Sequence, residues 1–289
     1  MGWSSILGNV LLFALVYGMS ATVEIDRMRQ QAKNLKALST GILCQFLLLP
    51  FLGFLVVRFL HLPEPLGLTL LVVTSSPGGS YSNWWCSVFN ADLALSVTMT
   101  AVSTILSILF LPANLLLYTR FSYHDDVVQA LDWPSLFIAL AVVITAIVLG
   151  LLTSHYYQPP DKRSFQKAVN QMGNYAGFCL IMFSVFLSNS GADSDSKVWS
   201  REWYFYVGIA APCVGGLITA NIISTLLKLR KPERVTVAIE CCYQNVRIVC
   251  ELSRVEPHQL FDCDIRLTQD IFLWLTLGWN CHVIGFDHV

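Results

Sequence analysis

The sequence predicts an all-α integral membrane protein of about nine transmembrane helices, and three observations carry that reading. Only 13% of the 289 residues are charged and 55% are hydrophobic, whereas an ordinary soluble domain is about 25% charged. The apolar residues collect in stretches of about 20, the length a helix needs to cross the hydrocarbon core at about 1.5 Å per residue. Lys and Arg gather in alternate connecting segments, the signature of a chain that crosses a bilayer repeatedly. A closed β-barrel would instead show alternating segments of about 10 residues, and the sequence contains none. The first apolar run leads straight into further spans, so it is not read as a cleavable leader.

Taken in order, the spans cover residues 4–23, 38–60, 66–88, 93–118, 134–153, 168–189, 203–228 and 235–252, followed by a shorter, more polar segment at 271–286. Arg27, Arg29, Lys33 and Lys36 follow the first span, Lys162, Arg163 and Lys167 the fifth, and Lys228, Arg230, Lys231 and Arg234 the seventh. Positive residues near span ends accumulate on the cytoplasmic side. The intervening connections carry Asp125, Asp126 and Asp132, then Asp193, Asp195 and Glu202, then Glu251, Glu256, Asp262 and Asp264. They are expected outside, which puts the N-terminus outside and the C-terminus in the cytoplasm, with the plasma membrane as the default location.

Two spans are too polar and too interrupted to be plain lipid-facing helices. The third contains Ser75-Ser76-Pro77-Gly78-Gly79-Ser80-Tyr81-Ser82-Asn83. Pro removes a backbone donor and Gly-Gly loosens the chain, so a break near 77–83 is expected. The eighth contains Glu240-Cys241-Cys242-Tyr243-Gln244-Asn245. A carboxylate at that depth costs roughly 2.5–3.5 kcal/mol on insertion scales, which makes it a functional candidate unless a neighbour such as Arg247 neutralises it.

The two interrupted spans are five apart in the chain and therefore run in opposite directions through the membrane. That offset suits an inverted repeat, with residues 1–118 as the first half and 119–289 as the second, and broken helices near 77–83 and 240–245. Carriers built this way place ion sites where interrupted helices meet at mid-membrane. The donors are all oxygen: Ser and Thr hydroxyls, Asn and Gln amides, one carboxylate, and carbonyls freed at the breaks. That set suits a hard monovalent cation such as sodium. Ser96 and Thr100, four apart on one face of the next helix, return toward Asn83 after a short turn.

The run Pro77-Gly78-Gly79-x-x-Ser82-Asn83, then Leu95-Ser96-x-x-x-Thr100, then Glu240-x-x-x-Gln244-Asn245 resembles the bile acid:sodium symporter family over about residues 10–255. The resemblance implies panel and core domains, with two crossed discontinuous helices in the core. It implies a first sodium site of Ser82, Asn83, Ser96, Thr100 and Glu240. A second would use Gln45, Glu240 and Gln244 with the carbonyls of Cys241 and Tyr243, Gln45 being placed by the family's Gln-x-x-x-x-Pro stretch, here Gln45 to Pro50. The substrate implied is an amphipathic organic anion, a bile acid, sulfated steroid or other carboxylate, near Asn245 and Arg247. Sodium is a co-transported ligand and no cofactor is implied. The partners expected are sodium, the anion and the bilayer, with no nucleic acid.

The chain departs from the family pattern at two places. Cys242 stands where relatives usually have Gly and is expected to resist the break. Arg247 adds a cation that could neutralise Glu240, bind an anionic substrate, or mark a carrier that does without two sodium ions. The same residues also suit a sodium-independent or proton-coupled anion carrier, or a member that has lost transport. An intramembrane enzyme needs a nucleophile with a base, or paired carboxylates, at depth. Cys241 and Cys242 lie near Glu240, yet no His falls within the first eight spans, so no enzyme is expected. The nine cysteines are scattered and read as small packing residues, and Cys281 with His282 is too isolated for a metal site.

Overall fold

The computed structural model describes residues 3–123, 133–157, 162–190 and 203–244. These residues form α1 (Trp3–Thr22), α2 (Ile25–Ala32), α3 (Leu35–Leu43), a π-helical turn (Cys44–Leu48) and α4 (Leu49–Phe59). There follow α5 (Glu64–Ser75), α6 (Ser80–Val88), α7 (Leu93–Ser122), α8 (Trp133–Tyr156), α9 (Lys162–Ser190), α10 (Trp203–Leu226) and α11 (Lys231–Cys242). The ninth expected segment, and the part of the eighth beyond Gln244, lie outside the described residues.

Among the described residues, Leu35–Phe59, Leu93–Ser122 and Tyr206–Leu226 are long and apolar enough to cross a membrane unaided. Leu7–Thr22 and Ile25–Ala32 pass the same test of length and composition only when taken together, and they are bent by 88° at the break between them. The outer faces of the first three carry large apolar side chains, including Leu47, Phe51, Leu109, Leu116 and Ile222. Exposed apolar residues in this number belong against lipid tails rather than water.

Helix α1 packs along α8 and α9, while α11 packs on α10, α3, α7 and α6. The α1 contacts depend on small residues. A Cβ on Gly18 would stand 2.9 Å from the Cα of Gly173, and one on Gly150 would stand 2.8 Å from the carbonyl oxygen of Tyr17. Close helix contact through small residues is the usual device where lipid supplies no hydrophobic drive. Gly18→Val should therefore force α1 away from α9, with a cost of about 1–3 kcal/mol typical of overpacking. A lowered melting temperature and loss of monodispersity in detergent would show it.

The third expected span is interrupted at residues 76–79, between the end of α5 at Ser75 and the start of α6 at Ser80, so that 80–83 of the stretch 77–83 are helical. Helix α2 departs from expectation, since its residues read only as a basic connection. Its short apolar stripe, Ile25 and Met28, is half-buried with Met28 packed against the core, and tertiary bonds fix it further. Gln31 Nε2 donates to Asp92 Oδ2 at 2.6 Å, and just beyond α2 Asn34 Nδ2 donates to Glu233 Oε1 at 3.0 Å.

Candidate functional site

The break after α5 follows from local chemistry. Pro77 has no N–H to continue a helix and disfavours helical backbone at the preceding residue. Ser76 is accordingly extended, at φ −73° and ψ 161°. The last turn closes on Val73 O, which accepts from Ser76 N at 3.2 Å and from Ser76 Oγ at 2.7 Å, while Thr74 Oγ1 bonds back to Leu70 O at 2.9 Å within the helix. Helix α11 ends in the same region of the fold, with Tyr243 extended at φ −103° and ψ 98°.

The two interruptions satisfy each other. Gly79 N donates to Tyr243 O at 2.9 Å, and Gly78 and Gln244 form an antiparallel bridge. Buried backbone groups need partners, and here each break supplies them for the other. Both glycines are required by proximity rather than by φ. A Cβ on Gly79 would lie 2.7 Å from Gln244 O, and one on Gly78 would run into Glu240 Oε2.

The expectation that Cys242 would resist the break is not met. Cys242 is the last residue of α11, and the chain leaves the helix at Tyr243 with an ordinary negative φ. The positive-φ residues other than Gly, among those described, are His61, Asn90 and Lys228. A Gly is therefore not needed at 242 on conformational grounds. The Cys242 thiol instead donates to Ile239 O at 3.4 Å.

Beside the crossing lies a buried cluster from three helices. The α6–α7 turn is tight because Asn90 adopts left-handed backbone at φ 50°, which Asn tolerates, and Asp92 Oδ1 caps α7 by accepting from Leu95 N at 3.0 Å. This hairpin sets Ser82 and Asn83 opposite Ser96 and Thr100. Glu240 Oε1 accepts from Ser82 Oγ at 2.7 Å, from Thr100 Oγ1 at 3.2 Å and from Ser96 Oγ. Asn83 Oδ1 is an alternative acceptor for the single protons of the same two hydroxyls, Ser96 and Thr100, 2.8 Å from Ser96 Oγ and 3.4 Å from Thr100 Oγ1. All five side chains are fully buried.

Glu240 occupies the last turn of α11, where the helix dipole disfavours a negative charge. A cation beside it would offset both the dipole and the burial of the carboxylate. Hydroxyls can reorient to present oxygen to that cation.

A second cluster flanks the first. Gln45 Nε2 donates to Glu240 O at 3.2 Å, and Gln244 Nε2 donates to Cys241 O at 2.8 Å. The amide oxygens Gln45 Oε1 and Gln244 Oε1 are both buried without a hydrogen-bond partner, as is Asn83 Nδ2. Two buried, unpartnered oxygens beside a carboxylate suit an oxygen-ligated cation. The carbonyl of Cys241 accepts from Gln244, and that of Tyr243 from Gly79. Each keeps a second lone pair.

The structure thus brings together Gln45, Ser82, Asn83, Ser96, Thr100, Glu240, Cys241, Tyr243 and Gln244. Asn245 and Arg247 lie outside the described residues. Sequence reasoning missed Ser103, one turn beyond Thr100, whose Oγ lies 3.6 Å from the point a Gly78 Cβ would occupy. It also missed Asn114, which bonds to the π-helical turn. Ser103 was signalled by its spacing from Ser96 and Thr100, whereas Asn114 carried no such signal.

The chain is similar in sequence to known proteins. A model of the Sodium Bile acid symporter family matches residues 9–193. The P3 protein of Homo sapiens is 28% identical over 255 residues, covering 86% of this chain and 51% of that protein. The ileal sodium/bile acid cotransporter of Homo sapiens is 27% identical over 255 residues, covering 87% of this chain and 70% of that protein. The uncharacterized sodium-dependent transporter YocS of Bacillus subtilis (strain 168) is 25% identical over 251 residues, covering 84% and 72%. The chain spans about half the length of the P3 proteins it matches, 51% in each. With its apolar helices and the family match over most of its length, the chain is a multi-pass membrane protein and belongs to the sodium bile acid symporter family, a family of transporters rather than enzymes.

Proposed function

We propose that this chain is a secondary active transporter that couples inward movement of sodium to uptake of an amphipathic organic anion. The observation that carries the reading is the buried Glu240, surrounded by hydroxyl and amide oxygen at the meeting point of two interrupted helices. The first ion is assigned to Ser82, Asn83, Ser96, Thr100 and Glu240. The second is assigned to Gln45, the side chains of Glu240 and Gln244, and the carbonyls of Cys241 and Tyr243. Glu240 would serve both, so its charge makes the two binding events interdependent.

The reading carries the expected architecture with it: inverted halves at 1–118 and 119–289, α1, α8 and α9 in a panel, and the crossing within a core. A cavity of about 750 Å³ separates α1, α2 and α9 from the α6–α7 turn and the start of α11, with Arg27 and Lys167, the carboxylates Glu24 and Asp92, and Asn90 and Asn170 on its wall. Its basic residues belong to connections assigned to the cytoplasm. With bases and carboxylates in equal number, it suits the inward end of a pathway for an anion travelling with sodium, with Asn245 and Arg247 as the further substrate contacts. The protein would lie in the plasma membrane, N-terminus outside and C-terminus in the cytoplasm. Two sodium ions moving inward would contribute about 2.3 kcal/mol per charge per 100 mV, roughly 4.6 in all, and net transport of a monovalent anion would be electrogenic.

Uptake of a labelled bile acid or sulfated steroid into proteoliposomes tests this. Replacing sodium by choline should reduce uptake to the protein-free background. Asn83→Ala should raise the half-saturating sodium concentration about tenfold, corresponding to loss of a buried polar contact of about 1.4 kcal/mol. Equal uptake in sodium and choline would overturn the coupling.

A further inference from the structure

We infer that Asn114 is a positioning residue for ion coupling: it holds the π-helical turn that aims Gln45 at Glu240. The inference rests on the proposed function, because Gln45 matters in this way only if the second cluster binds sodium. Three linked observations carry it.

Pro50 creates the need. Phe46 precedes Pro50 by four residues, so its carbonyl is deprived of the N–H that a regular helix would offer. Asn114 Nδ2 fills that position, donating to Phe46 O at 2.9 Å across 68 residues of sequence. Both residues are buried, Asn114 at 6% and Phe46 at 1% exposure.

The bond falls within the single described π-helical turn, Cys44–Leu48, where Leu49 N reaches back to Cys44 O. Such a turn inserts one residue into a helix and rotates the segment before it relative to the segment after it, and it is a rare feature frequently found at functional sites. Here it turns Gln45 inward to donate to Glu240 O at 3.2 Å, while Leu47 faces outward. Phe46 also stacks on Phe110, one turn before Asn114, with ring centroids 5.1 Å apart.

The third observation is that the anchor comes from α7. This helix also supplies Ser96 and Thr100 to the first cluster. One continuous helix, with Pro112 just before Asn114, therefore bears the first cluster's hydroxyls near its start and fixes the second cluster's amide from a point 14 residues after Thr100. A shift of α7 on binding at one cluster is transmitted to the Gln45 turn through the Asn114 bond, which gives cooperativity a physical route.

The experiment uses purified protein in detergent and needs no organic substrate: the melting temperature is followed against sodium, with choline holding ionic strength constant. Wild type should show cooperative stabilisation. Asn114→Leu, close in size and lacking the donor, should remain monodisperse but raise the sodium midpoint about tenfold and lower the Hill coefficient toward about 1, as expected when one buried hydrogen bond that places a ligand is lost. Adding Pro50→Ala restores an N–H four residues after Phe46 and should recover the midpoint and cooperativity.

A sodium response in Asn114→Leu like that of wild type would overturn the inference alone. So would failure of Pro50→Ala to restore the response in the double variant. If Asn114→Leu does not fold, combining Asn114→Ser with Gln45→Ala decides, because the pair should be no worse than Gln45→Ala alone, and additive losses would refute the link. Absence of any sodium response in wild type would overturn the proposed function, and this inference with it.

Discussion

Glu240→Gln is expected to leave the protein folded and to abolish sodium-driven uptake. The amide matches the carboxylate in size and retains an oxygen that can accept from Ser82 and Thr100, which now donate at 2.7 and 3.2 Å. The negative charge that both proposed ion sites share disappears. Removing one partner of a buried charged pair typically costs about 3–5 kcal/mol, so sodium affinity should fall at least about 100-fold. Proteoliposome uptake across a sodium titration measures it, and a near-unchanged melting temperature in choline separates lost binding from lost structure.

Glu240→Ala should behave differently in the same assay. It leaves a cavity in a fully buried site and takes away the acceptor that Ser82, Ser96 and Thr100 share, although Ser96 and Thr100 can still donate to Asn83 Oδ1 and Ser82 to Gly79 O. Its melting temperature should fall even in choline. Wild-type sodium dependence in Glu240→Gln would show that the carboxylate is structural and that the cluster is not an ion site.

How much of this was legible in the sequence depended on the range of the interaction that fixed each residue. Ser82, Asn83, Ser96 and Thr100 could be grouped because a tight turn and a helical repeat relate them, and both are short-range patterns. Glu240 announced itself by its cost in an apolar span. Gln45 could be placed only by resemblance, since a single amide in a hydrophobic helix has no distinguishing period. Asn114 was invisible because its role comes from a π-helical turn set by a proline 64 positions earlier. Helix α2 was missed because it is short and charged, with only Ile25 and Met28 as an apolar face, and its fixing bond reaches Asp92, far along the chain. Cys242 shows the opposite error: a family preference for Gly suggested a strained backbone, whereas the turn falls on Tyr243 at an ordinary φ.

Gly78→Ala and Gly79→Ala should separate the ion site from the crossing on which it is built. At Gly79 a methyl group would stand 2.7 Å from Gln244 O and 3.0 Å from its carbonyl carbon. These are backbone atoms within the pairing of the two breaks, so no side-chain rotation relieves the clash. The bridge between Gly78 and Gln244 and the bond from Gly79 N to Tyr243 O would have to open. That exposes several unpaired backbone groups at membrane depth, at several kcal/mol each, and the expected result is loss of folded protein from the membrane. At Gly78 the methyl group would meet the ends of side chains instead, running into Glu240 Oε2 and standing 2.7 Å from Gln45 Nε2. Those groups can swing away with the backbone intact, but only by leaving the positions from which they would face sodium. Gly78→Ala should therefore accumulate as folded, monodisperse protein whose melting temperature no longer responds to sodium. A sodium response retained in Gly78→Ala would mean that Glu240 Oε2 and Gln45 lie apart from the ion, and folded Gly79→Ala would mean that the two breaks do not depend on each other.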